Sequence, residues 1–213
     1  MKRTIMLLLL LASGMAAVAA EPGPAGTYRL TGEQDAASGL RLRPDGHFQY
    51  FLIVGALDEQ AEGRWSVADG VVTLTTEPTP VPPAFTRDPS GKTSSAALTV
   101  RVHWPEGHGV AGTDLRIGFD EGPPLVDYTQ EDGWSLPPDQ KRTPRWIELK
   151  VPMHDFTSPP FPIDLAAGNA LAFTLTPNDL GIFDFQGVRI EAAEGALIVE
   201  RNGARLRYQA VRE

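Results

Sequence analysis

The chain has 213 residues, a formal net charge of −8 at pH 7, 42% hydrophobic residues and no cysteine. The absence of thiols excludes disulfides, thiol catalysis and cysteine-ligated zinc, so the core is held by burial and hydrogen bonding alone. The acidic balance, with no basic stripe to reverse it locally, excludes nucleic acid as an expected partner.

Residues 1–20 read as a secretory signal peptide. Lys2 and Arg3 make a basic start, Ile5 to Ala12 an apolar run, and Ala17-Val18-Ala19-Ala20 a small-residue stretch for cleavage near Ala19 or Ala20, before Glu21. The run stops at Ser13-Gly14, well short of the roughly 20 apolar residues that span a bilayer. The expected destination is therefore the periplasm or the medium, with no integral membrane segment after cleavage. Removing the leader takes away two basic residues and no acid, so 17 basic and 27 acidic side chains remain, a charge of −10.

From residue 26 to 76 the pattern is short alternating strands separated by turn dipeptides. Leu40 and Leu42 alternate with Arg41 and Arg43; after Pro44-Asp45-Gly46, Phe48, Tyr50, Leu52 and Val54 alternate with Gln49, Phe51 and Ile53. A three-residue loop with Gly46 in the left-handed region pairs Leu42 with Phe48 and Leu40 with Tyr50, gathering the apolar side chains on one face. Asp69-Gly70 calls for a two-residue turn instead, which sets Val67 against Val72 and Trp65 against Leu74. Near the C-terminus, Asn202-Gly203 as a type I′ turn pairs Val199 with Leu206 and Leu197 with Tyr208, and places Glu200 beside Arg205 on the other face.

Between these hairpin regions, Pro78, Pro80, Pro82, Pro83 and Pro89 read as a strap or linker. Strands are expected again at 97–104, 113–119, 146–151 and 171–176, with proline-rich loops at 136–144 and 158–162. Residues 164–171 hold at most a turn or two of helix.

The segment Gly26-Thr27-Tyr28-Arg29-Leu30, then Leu40-x-Leu42-x-x-Asp45-Gly46-x-Phe48, Gly63-x-Trp65 and Val72-x-Leu74 resembles the opening meander of lipocalin-like small β-barrels in exported bacterial proteins. Such barrels are often filled by their own side chains, so the resemblance does not by itself imply a ligand cavity. Residues 110–151 resemble the transthyretin-like β-sandwich of carboxypeptidase regulatory domains. There, Gly112-Thr113-Asp114-Leu115-Arg116-Ile117 is followed by Asp127-Tyr128-Thr129-Gln130-Glu131-Asp132-Gly133-Trp134 and by Ile147-Glu148-Leu149-Lys150-Val151. That resemblance implies a supporting or binding role without catalysis.

The fold class expected is all-β, an antiparallel barrel or meander plus a transthyretin-like sandwich segment. Residues 21–78 and 182–213 are assigned to a discontinuous barrel, 95–181 to the sandwich and 79–94 to a proline-rich linker. Two consecutive β-domains split in the strap are the simpler arrangement.

For chemistry, the densest set of metal-ligand types is His103, Glu106 and His108, two imidazoles and a carboxylate that suit an open zinc site. No fourth ligand is indicated, and Pro105 and Gly107 make a solvated turn the plainer reading. His47 and His154 read as surface or hydrogen-bonded structural residues. Gly91-Lys92-Thr93 fails as a phosphate loop, because Thr86 stands where a glycine is needed and Pro89 removes an amide. Asp120, Glu121, Asp127, Glu131 and Asp132 lack the alternating spacing of a calcium loop. There is no Gly-x-Ser-x-Gly elbow and no His-Glu-x-x-His pair. Trp65, Trp104, Trp134 and Trp146, with Tyr28 and Tyr50, offer aromatic surface for a cleft, but alternation puts Trp65 and Tyr50 on apolar faces, as core aromatics.

No catalytic, cofactor-binding or metal residue is therefore assigned. The expected function is an exported, non-catalytic binding or structural module for a protein or small-molecule partner. Its alternatives are a small apolar-ligand carrier with a barrel cavity, and a metal-assisted hydrolase using His103, Glu106 and His108.

Overall fold

Among the described residues, alternating apolar positions give seventeen strands, named in chain order. β1 (Gly26–Thr31), β2 (Ala36–Leu42), β3 (His47–Val54), β4 (Leu57–Ala68) and β5 (Val71–Thr76) come first. β6 (Ala84–Arg87), β7 (Thr99–His103), β8 (Asp114–Phe119), β9 (Leu125–Tyr128) and β10 (Trp134–Ser135) follow. Then come β11 (Pro144–Val151), β12 (Phe156–Thr157), β13 (Phe161–Pro162) and β14 (Ala170–Thr176), and last β15 (Gln186–Ala193), β16 (Ala196–Arg201) and β17 (Ala204–Ala210). The structure is a computed structural model and describes residues 24–94, 97–193, 195–201 and 203–211; residues 1–20, where a signal peptide is expected, lie outside them.

β1 to β5 and β15 to β17 close into one barrel, in the order β1-β2-β3-β4-β5-β15-β16-β17 and back to β1, each neighbour antiparallel. The path is an up-and-down meander, and closure removes the free edges that an open sheet would expose. Its interior is built from every second residue: Leu40 and Leu42 of β2, Phe48 and Tyr50 of β3, Val72 and Leu74 of β5, Leu197 and Val199 of β16, and Tyr208 of β17 are all buried.

The turns set this register. Leu42 faces Phe48 and Leu40 faces Tyr50, with Gly46 N–H bonded to the Arg43 carbonyl and a Gly46 φ of 82°. Trp65 faces Leu74 and Val67 faces Val72, across a turn whose two residues, Asp69 and Gly70, both have positive φ. In the last hairpin Val199 faces Leu206, Leu197 faces Tyr208 and Glu200 faces Arg205. Asn202 lies outside the described residues, and with it the turn type assigned there.

The strands between β5 and β15 form two further sheets, β10-β7-β14-β6 and β12-β11-β8-β9, with β13 added on β11. They share a second core, with Val100, Val102, Leu171 and Phe173 from one sheet and Leu115, Ile117, Ile147 and Leu149 from the other. One pair in it, β7 with β14, is parallel.

Residues 84–87, expected inside a linker, form β6 and pair with β14. The prolines around them do not forbid this, because β6 is an edge strand and Pro82-Pro83 precede it, where no ladder hydrogen bond is required. Phe85 packs against the second core, a gain invisible in the local sequence.

Candidate functional site

β4 runs for twelve residues but β5 for only six. Thr76 at the end of β5 pairs with Gly63, so the first half of β4 has no strand on that side once the chain departs through the strap. The returning segment fills the place. Gln60 N–H donates to the Gly181 carbonyl at 2.9 Å, Phe183 N–H donates to the Gln60 carbonyl at 2.8 Å, and Ile182 forms a parallel bridge with Gln60. Thr76 clamps the same segment: its hydroxyl donates to the Phe183 carbonyl and accepts from Phe185 N–H, both at 2.9 Å. Departing and returning segments also hold each other, through Val81 N–H to the Asp179 carboxylate at 2.8 Å and Asn178 Nδ2 to the Pro82 carbonyl at 2.8 Å.

This repair puts Phe183 and Phe185 against the barrel interior. Phe185 stacks edge-on to Tyr50 at 5.0 Å and to Phe48 at 5.5 Å between centroids, and Phe183 lies 4.7 Å from Phe185. Such pairs add directional contact to the area they bury.

Beside these rings, an ion pair crosses the barrel. Arg201, the last residue of β16, is separated from β4 by two strands in the sheet order, yet its Nη2 is 2.9 Å from Glu59 Oε1 and 2.6 Å from Oε2. Its Nη1 donates to the Tyr50 hydroxyl at 2.9 Å, and its guanidinium carbon sits 4.4 Å from the Phe183 ring centroid. Across the same interior, Tyr208 and Ser38 share a 2.8 Å bond. Because the Ser38 hydroxyl donates to the Phe51 carbonyl, Tyr208 is the donor in that bond.

Burial is the leading cause that pushes the Tyr50 hydroxyl far above its ordinary value, with Tyr208 and Glu59 adding to it and Arg201 opposing. Burial is likewise the leading cause that raises Tyr208, with the charge of Arg201 acting the other way. For Arg201 burial acts downward, but the Glu59 hydrogen bond and the nearby Tyr50 and Glu59 outweigh it and hold the guanidinium above its usual value.

The Arg201–Glu59 pair forms the floor of a groove of about 1000 Å³ between three parts of the chain. Leu57, Glu59, Phe183 and Arg201 come from the barrel end, residues 79–83 from the departing strap, and residues 152–156 from the turn after β11. Val81 and Met153 on its walls are 56% and 47% exposed, which leaves apolar surface beside a buried charge pair.

The histidine set singled out in the sequence is not assembled. His103 Nδ1 faces the Trp104 carbonyl at 2.8 Å and its Nε2 faces Asp88 Oδ2 at 2.8 Å, so neither ring nitrogen is free for a metal. Asp88 Oδ1 also accepts from Thr174 at 3.0 Å, which fastens the chain after β6 to β7 and β14. Glu106 and His108 are exposed in the turn that follows. Among the described residues no group of three or more His, Asp or Glu side chains is placed to hold a metal ion. His47 bonds with Asp45 through its backbone N–H and pairs with the same carboxylate through Nδ1 at 3.3 Å, and His154 lies in the groove wall.

The tryptophans go to separate places. Trp65 packs against the barrel core and donates to the Arg43 carbonyl at 2.8 Å; Trp134 donates to Asp127 at 2.7 Å; Trp104 packs against the second core; Trp146 lies under Arg116. They do not line one cleft. Arg201, Glu59 and Phe183 were missed by sequence reasoning. The available signal was polar Glu59 and Arg201 standing at inward positions of otherwise apolar alternations.

No family model, no curated protein and no solved structure matches this chain.

Proposed function

We propose that this protein is an exported, non-catalytic binding module that engages its partner in the groove between the barrel end, the strap and the 152–156 turn. The observation that carries this is the groove itself: exposed apolar walls at Val81 and Met153 over a buried Arg201–Glu59 pair. Exposed apolar surface rimmed by polar groups is characteristic of interaction sites. The export part rests on the leader pattern at residues 1–20.

The eight-strand up-and-down order supports a lipocalin-like reading of the barrel, and two packed sheets support a transthyretin-like reading of the segment containing 110–151. Both scaffolds suit binding. The carrier alternative is disfavoured because Phe48, Tyr50, Phe183, Phe185 and Tyr208 occupy the barrel interior. The hydrolase alternative is disfavoured because His103 is engaged at both ring nitrogens.

Mass spectrometry of the protein recovered from periplasm or medium tests the reading. Expected are a mature N-terminus near residue 20 and a co-purifying partner that is lost in Val81→Asp. A retained Met1 overturns export, and a partner held equally by wild type and Val81→Asp overturns the groove.

A further inference from the structure

We propose that a second copy of this chain docks on the outer wall of the barrel over β2 and β3, forming a twofold dimer centred on Gly39 and Phe51. The inward side of β3 is taken by Phe48, Tyr50 and Leu52, so Phe51 and Ile53 point outward, where they are 37% and 45% exposed. Their neighbours on β2 are small: Gly39 faces Phe51 and Ala37 faces Ile53. The Phe51 ring lies across Gly39, where an added Cβ would meet it at 2.5 Å. These four outward positions make one continuous apolar strip on the barrel wall. Such a strip with charged flanks has the make-up of a contact centre.

Charge names the occupant. On the β1 side of the strip Arg29 faces Gly39, and Arg41 lies two residues further along β2. On the β4 side Asp58 faces Ile53 and Glu62 faces Gln49. All four charged residues are exposed, and among the described residues none of them has an ion-pair partner. Arg64, the next outward residue of β4, is paired with Glu77 at 3.6 Å and changes neither sign. The strip is therefore basic on one flank and acidic on the other. A partner of a single sign is repelled at one flank; this face calls for the same two flanks in reverse order. A copy turned about a twofold axis running along the strands supplies that order, with β1 over the other copy's β4 and β2 over its β3.

The relief of the wall fits the same rotation. Phe51 stands between two hollows, one of about 240 Å³ lined by Arg29 and Arg41 and one of about 470 Å³ lined by Gln60 and Glu62. The rotation brings Arg29 of each copy to the larger hollow of the other and sets the two Phe51 rings together at the axis. Each contact then occurs twice, as an isologous interface requires.

The test is sedimentation velocity of the protein recovered from periplasm or medium, over about 1–200 µM at about 0.1 M salt. Expected is a monomer–dimer equilibrium that Ile53→Asp weakens at least about tenfold and Val81→Asp leaves unchanged. A monomer at every concentration overturns the proposal, and so does a dimer that a folded Ile53→Asp leaves intact. A dimer lost in Val81→Asp moves the contact to the groove and overturns this face, whatever becomes of the groove's own partner. The charge order is read from two variants, Arg29→Glu with Arg41→Glu and Asp58→Lys with Glu62→Lys. Each is expected to be monomeric alone, and an equal mixture is expected to form the mixed dimer; variants that dimerise alone, or a mixture that stays monomeric, overturn the twofold arrangement. If a charge variant does not fold, the absence of cysteine in the chain allows a second measurement. Gln49→Cys, beside the axis, is expected to form an intermolecular disulfide at least about tenfold faster than Val126→Cys on the exposed edge of β9, and equal rates overturn the proposal.

Discussion

Arg201 and Glu59 meet across the barrel end at 2.6 Å, with their side chains only 15% and 9% exposed. A pair this far from water is held by its hydrogen bonds as much as by its charge, because desolvation offsets most of the Coulomb attraction. Removing one partner strands the other. Glu59→Ala is expected to destabilise the fold by about 3–5 kcal/mol, whereas the double change Glu59→Leu with Arg201→Met is expected to cost much less. Chemical denaturation of both variants decides this, and a double variant as unstable as the single one contradicts it.

The buried hydroxyls give the protein an alkaline limit. Tyr50 and Tyr208 have folded-state values raised above 10.0, so the folded state keeps protons that the unfolded chain releases. Their contribution is fully present below pH 10 and declines as pH rises from there towards the folded-state values. Absorbance titration near 295 nm should show these two tyrosines ionising only with unfolding, and ionisation in a still-folded protein would count against their placement.

Two glycines in the barrel wall should differ sharply when a methyl group is added. A Cβ at Gly63 meets the Thr75 carbonyl oxygen at 2.1 Å and Thr76 Cα at 2.8 Å, all backbone, while one at Gly39 meets the ring edge of Phe51, which is 37% exposed and able to turn away. Gly63→Ala is expected to cost about 1–3 kcal/mol or more, and Gly39→Ala clearly less. Thermal melts in the reverse order refute the close packing of β4 on β5.

In the last hairpin, Gly203 has a φ of 77°, a conformation that a β-branched residue adopts at a cost of about 1–3 kcal/mol. Gly203→Val should therefore be more damaging than Glu200→Ala, since Glu200 and Arg205 are 77% and 63% exposed and 3.8 Å apart. Denaturant midpoints ranked the other way would show that the register of β16 on β17 is wrong.

Zinc and calcium are expected to leave the melting temperature unchanged, since a ligand of the native state alone must raise it and His103 is held by Trp104 and Asp88. A rise at modest metal concentration that disappears in His103→Ala would contradict this.

Much of the barrel was legible in the chain, because period-2 alternation and the turns at Gly46, Gly70 and Gly203 fix which residues face inward and which face each other. Those are local constraints, acting within a dozen residues. Tertiary structure alone decided how β5 meets β15 across more than a hundred residues of intervening chain, that 84–87 would leave the strap to pair with β14, and that residues 181–183 would occupy the wall that β5 vacates beside Gln60. It also decided the groove. Glu59 and Arg201 each interrupt an apolar face, and neither is intelligible alone; their burial becomes tolerable only when folding brings opposite charges and the Tyr50 hydroxyl within hydrogen-bond reach. His103 shows the converse, because its neighbours in sequence suggested a metal while its partner in space, Asp88, lies fifteen residues back and answers to packing, which no local pattern records.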